Sequence, residues 1–73
     1  MNALQAVKEA VRLVQTQTRD ATKSDVLHAA ELNYDLRAVD VNQAYNELRK
    51  RGEIYSYESH GRVIVKVTDD VIA

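Results

Sequence analysis

Seventy-three residues, no cysteine and 45% apolar content imply one domain with a small core held by packing alone, and argue against wholesale disorder. No apolar run exceeds three residues, which excludes a membrane-spanning helix, and MNALQAVKEA has neither the basic segment nor the apolar stretch of a secretory signal, so the expected compartment is the cytoplasm. The net charge of −1 is uneven: residues 1–36 hold four Lys/Arg against five Asp/Glu, residues 37–66 six against four, and residues 67–73 only Asp69 and Asp70, a positive excess toward the end of the chain that is thin for a phosphate binder.

In chain order, the first predicted element is an amphipathic helix over residues 3–15. Leu4, Val7, Val11 and Val14 recur at helical spacing, flanked by Ala3, Ala6 and Ala10, with Asn2 as its N-cap. Thr16 to Asp20 is poor in helix formers and ends it. Thr22 with Asp25 approximates a capping box for a second helix of two to three turns, with Val26, Leu27, Ala30 and Leu32 as its apolar face. Asn33 to Arg37 breaks that helix, because Asn and Asp favour turns.

The third helix is expected to begin at Asp40, with Gln43 completing a capping box. Val41, Ala44, Tyr45 and Leu48 make its buried face; Asn42, Asn46 and Arg49 fall on another, bordered by Gln43 and Lys50. Arg49, Lys50 and Arg51 complement the negative end of the helix dipole, and Gly52 suits the left-handed position that stops the helix. Ile54 to Tyr57 and Arg62 to Val67 read as two strands joined at His60-Gly61. A two-residue turn there pairs 59 with 62, 57 with 64 and 55 with 66. One face of the hairpin then holds Ile54, Ser56, Val63, Val65 and Val67, which suits a core. The other holds Tyr55, Tyr57, Arg62, Ile64 and Lys66, an aromatic-aliphatic patch edged with cations. Residues 68–73 are expected to fray.

The segments Ala21-Thr22-Lys23-Ser24-Asp25-Val26 and Leu48-Arg49-Lys50-Arg51-Gly52-Glu53-Ile54 sit in the order helix, short extended link, helix, turn, helix, hairpin. This order, over residues 3–67 of a single domain, resembles the winged helix-turn-helix family. The resemblance implies an α+β fold of three helices and a C-terminal two-stranded wing, with residues 21–22 adding a minimal third strand. The stretch from Leu32 to Val39 departs from it, being longer than the turn of a tight helix-turn-helix. So does the wing tip, where Glu58 opposes phosphate approach.

On the family's pattern the protein would be a small DNA-binding transcription regulator, its third helix in the major groove of double-stranded DNA. Asn42, Gln43 and Asn46 would face base edges and Arg49, Lys50 and Arg51 the phosphates. Lys23 and Ser24 would meet a phosphate at the start of the second helix, and His60 and Arg62 would reach the minor groove. A dimer is expected because one small module offers little interface. The alternative is a protein-docking module that binds a component of the transcription or replication machinery through Tyr55, Tyr57, Ile64 and Lys66. Enzymatic activity, a cofactor and a metal are not expected. His28 has Asp25 and Glu31 three residues to either side, but a solvated histidine is the simpler reading. No nucleophile motif or glycine-rich phosphate loop is present.

Overall fold

A computed structural model describes residues 2–68. Three helices, α1 (Ala3–Gln17), α2 (Lys23–Tyr34) and α3 (Ala38–Arg51), precede two strands, β1 (Ile54–Ser59) and β2 (Arg62–Val67). This is the expected α+β layout, with the shape of a three-helix winged helix-turn-helix. The expectation for residues 69–73 lies outside the described residues. Thr68 departs from it: its amide donates to the Glu53 carbonyl (3.0 Å) and its hydroxyl to the Gly52 carbonyl (2.6 Å).

Helix α1 starts as its sequence requires, with the Asn2 Oδ1 accepting from the Gln5 amide at 2.8 Å. It runs two residues further than propensity suggests. Thr16 donates its hydroxyl to the Leu13 carbonyl, and the Thr18 amide and hydroxyl both donate to the Val14 carbonyl, so the terminal carbonyls find local donors. Val7, Val11 and Val14 are buried, and Ala6 and Ala10 with them. The alanines are therefore part of the packed face, where small side chains allow close approach by α2 and α3, both packed on α1.

Thr22 caps α2, accepting from the Asp25 amide at 3.2 Å. Contrary to the expected break at Asn33, the helix includes Asn33 and Tyr34 and stops at Asp35, which adopts a left-handed conformation (φ 52°). The Asn33 side-chain amide donates to the Ala29 carbonyl, bonding back into the helix rather than ending it. Leu32, assigned to the apolar face, is 69% exposed. It lies two residues beyond buried Ala30, about 200° around the helix.

Asp35, Leu36 and Arg37 alone connect α2 to α3, so the connection is a tight three-residue turn and the longer linker read from the sequence is absent. Helix α3 begins at Ala38, with Arg37 at the N-cap position, where its side chain accepts no hydrogen bond from the first-turn amides. Asp40 is not the cap. It sits in the first turn, where its carboxylate is favoured by the helix dipole and accepts from Arg37 Nε at 3.4 Å. The predicted inner face, Val41, Ala44, Tyr45 and Leu48, is buried. Gly52 (φ 77°) ends the helix. Its amide donates to the Arg49 carbonyl and that of Glu53 to the Leu48 carbonyl, the two bonds of a Schellman stop. The chain enters β1 directly.

The hairpin has the expected register, Tyr55 opposite Lys66, Tyr57 opposite Ile64 and Ser59 opposite Arg62. His60 (φ 52°) and Gly61 (φ 77°) form its turn. Positive φ at both positions is the geometry that favours Asn-Gly. His60→Asn is therefore expected to raise stability by a few tenths to about 1 kcal/mol, read as a higher midpoint of thermal unfolding. Thr22 bridges Ile64, and the Val65 amide donates to the Ala21 carbonyl at 2.8 Å, which makes residues 21–22 the minimal third strand.

Two positions on β2 differ from simple alternation. Ile64, on the face opposite the main core, is only 3% exposed, whereas Val63, on the core-side face, is 41% exposed. Ile64 lies between Tyr57 in register and the Thr22 bridge. Val63 sits toward the wing tip and borders an open groove with Leu27, Thr22 and Ser24 at the start of α2.

Candidate nucleic-acid interface

Helix α3 presents Asn42, Asn46, Arg49 and Lys50 to solvent. Asn42 Nδ2 donates to the Ala38 carbonyl at 2.8 Å, which leaves the side-chain carbonyl and the second amide hydrogen for other partners. Gln43 is exposed but turned about 100° from Asn42, toward Leu4, Leu36 and Glu47. The structure therefore separates it from the Asn42–Asn46–Arg49 row.

The start of α2 is brought to α3 by Tyr45. Lys23 Nζ lies 4.9 Å from the Tyr45 ring centre, and the Arg49 guanidinium carbon 5.9 Å from the same ring. Both fall within cation–π range, so a buried aromatic ring positions two cations from different helices. Lys23 and exposed Ser24 also border the groove whose other side carries Arg62 and Val63. His60 lies at the wing tip, its Nδ1 3.1 Å from Ser59 Oγ.

Ion pairing separates the cations into two groups. Of the ten Lys/Arg side chains, Lys8 pairs with Glu53, Arg12 with Glu9, Arg37 with Asp40, Lys66 with Asp20, and Arg51 with Glu47 and Glu53. Arg19, Lys23, Arg49, Lys50 and Arg62 have no carboxylate partner among the described residues. Four of these five are sequence-predicted phosphate or groove contacts. Arg51, also predicted, is instead held by two carboxylates, which reduces its charge toward a polyanion.

The hairpin patch is smaller than expected. Tyr55 and Tyr57 remain partly exposed with ring centres 6.3 Å apart, but Ile64 is buried and Lys66 Nζ is 3.5 Å from Asp20 Oδ1.

No protein-family model matches the chain, and no curated protein does. No helix among the described residues is long and apolar enough to cross a membrane, and no group of three His, Asp or Glu side chains among them is placed to hold a metal ion.

Sequence reasoning missed the role of Tyr45. Its spacing from Arg49 was visible along the helix, but nothing local links it to Lys23. The Tyr45 hydroxyl is buried with no hydrogen-bond partner among the described residues, a cost that the ring's position imposes. Tyr45→Phe keeps the ring beneath both cations and removes the orphan group. It is expected to raise stability by about 1 kcal/mol in urea titration; a loss of stability would show that the hydroxyl is satisfied.

Proposed function

We propose that the protein is a small DNA-binding transcription regulator of winged-helix type. The supporting observation is that the start of α2, the exposed face of α3 and the wing carry Lys23, Arg49, Lys50 and Arg62, all without carboxylate partners among the described residues. A cation already paired inside the protein gains less from phosphate, so the distribution of unpaired charge matters more than the net −1. In this reading Asn42 and Asn46 read base edges, Arg49 and Lys50 follow the backbone, Lys23 and Ser24 meet a phosphate at the α2 terminus, and Arg62 extends along the wing.

The test is fluorescence anisotropy of a mixed-sequence duplex titrated with the protein at low and at physiological salt. Micromolar binding that weakens steeply with salt is expected. Absence of binding even at low salt would overturn the reading. The runner-up, a docking module for transcription or replication machinery, is favoured by one observation: the Tyr55–Tyr57 ring pair exposed on β1.

A further inference from the structure

The sheet has one paired side and one open side. Residues 21–22 pair with β2, and β2 pairs with β1. The backbone of β1 facing away from β2 has no hydrogen-bond partner among the described residues. The register fixes which groups these are. A two-residue hairpin makes Ser59 and Arg62 a hydrogen-bonded pair, and such pairs alternate along an antiparallel ladder. The Glu53–Thr68 bond agrees with that phase. The amides and carbonyls of Tyr55, Tyr57 and Ser59 therefore point to β2, and those of Ile54, Ser56 and Glu58 point outward.

We propose that a second copy of this chain pairs with this edge, β1 against β1 antiparallel, with the two-fold axis at Ser56. In that register Ser56 faces Ser56 of the second copy, and Ile54 faces Glu58 in both directions. All the outward backbone groups of both strands are then satisfied. Shifting the register by two residues leaves one end unpaired or places it against Gly52, outside the strand. The same register puts Tyr55 of each copy opposite Tyr57 of the other, as the closer, non-hydrogen-bonded type of pair. The two stacked ring pairs merge into one four-tyrosine cluster.

Two further features favour a copy as occupant. The strand IYSYES has no lysine, proline or bulge to deter edge pairing, and two of its residues are aromatic. Its single charge, Glu58, has no cation partner among the described residues. In the pair it comes to lie opposite Ile54, on the helix-bearing side of the sheet and beside the basic last turn of α3. A symmetric interface of this kind is isologous and closes at two copies. It rests on the edge alone, independent of DNA binding.

The test is light scattering coupled to size exclusion of the full chain, without DNA, across about 10 μM to 1 mM, a range suited to a small interface. The expected result is a mass that rises with concentration from the 8.3 kDa monomer toward twice that value. Ser56→Pro removes only an outward amide, so a folded variant is expected to stay monomeric throughout. Glu58→Lys sets a cation beside the α3 terminus and is expected to weaken association about tenfold; it carries the comparison if Ser56→Pro does not fold. A wild-type protein that is monomeric at every concentration overturns the proposal. So does a dimer that neither variant weakens.

Discussion

Replacing Leu48 by alanine is expected to lower the midpoint of thermal unfolding by at least about 10 °C, or to remove the cooperative transition altogether. Leu48 is 1% exposed and is the single leucine among the buried residues of a core otherwise made of valine, alanine, isoleucine and Tyr45. Truncating a buried leucine costs about 2–5 kcal/mol, through lost burial and the cavity left behind. A domain of this length has about 5 kcal/mol in total, so the loss is a large share of it. The site cannot easily close over the gap, because α3 continues through the Gly52 stop directly into β1. Leu32→Ala is the control. Leu32 is 69% exposed, and its truncation is expected to change stability by less than about 0.5 kcal/mol. Equal losses in the two variants would show that Leu48 does not anchor the core.

The second large effect concerns salt dependence. Each phosphate neutralised adds about 0.9 to the slope of log affinity against log salt. The combined variant Lys23→Ala, Arg49→Ala, Lys50→Ala is therefore expected to reduce that slope by about 3, with affinity falling similarly across duplex sequences. Arg51→Ala is expected to do less, because Arg51 is engaged by Glu47 at 3.1 Å and Glu53 at 3.7 Å. Asn42→Ala is expected to relax sequence preference with little change in slope. Circular dichroism must show that the triple variant folds, since it also loses both cation contacts to Tyr45. Duplex binding with an unchanged slope would place the phosphate contacts elsewhere on the protein.

Local rules made much of this protein readable. The helix spacing of Val7, Val11 and Val14, and of Val41, Ala44, Tyr45 and Leu48, identified buried faces. Asn2 and Thr22 cap as their side chains allow. The two glycines mark left-handed positions at the end of α3 and in the wing turn. The length of that turn fixed the hairpin register, because each added residue would change every cross-strand pair. These features depend on neighbours within a turn of helix or across a tight turn, so the chain encodes them directly.

Features requiring distant partners were decided by tertiary structure. Helix α2 extends through Asn33 and α3 starts at Ala38, which shortens the connection to three residues. Half-buried Tyr34 and Leu36, packed against the core, supply burial that local propensity does not count. Ile64 is covered because residues 21–22, far away in sequence, pair beside it, which took it out of the patch expected on the outer face. The candidate interface shows the same division. Which residues are cationic was plain from the sequence, whereas which cations lack carboxylates depended on contacts such as Lys8 with Glu53 and Lys66 with Asp20. The order of elements, the inner faces of α1 and α3 and the wing register were all legible in the chain, through short-range sterics and periodicity. Which charges stay without a carboxylate among the described residues was settled by the three-dimensional arrangement, because an ion pair depends on distances between segments that no local pattern specifies.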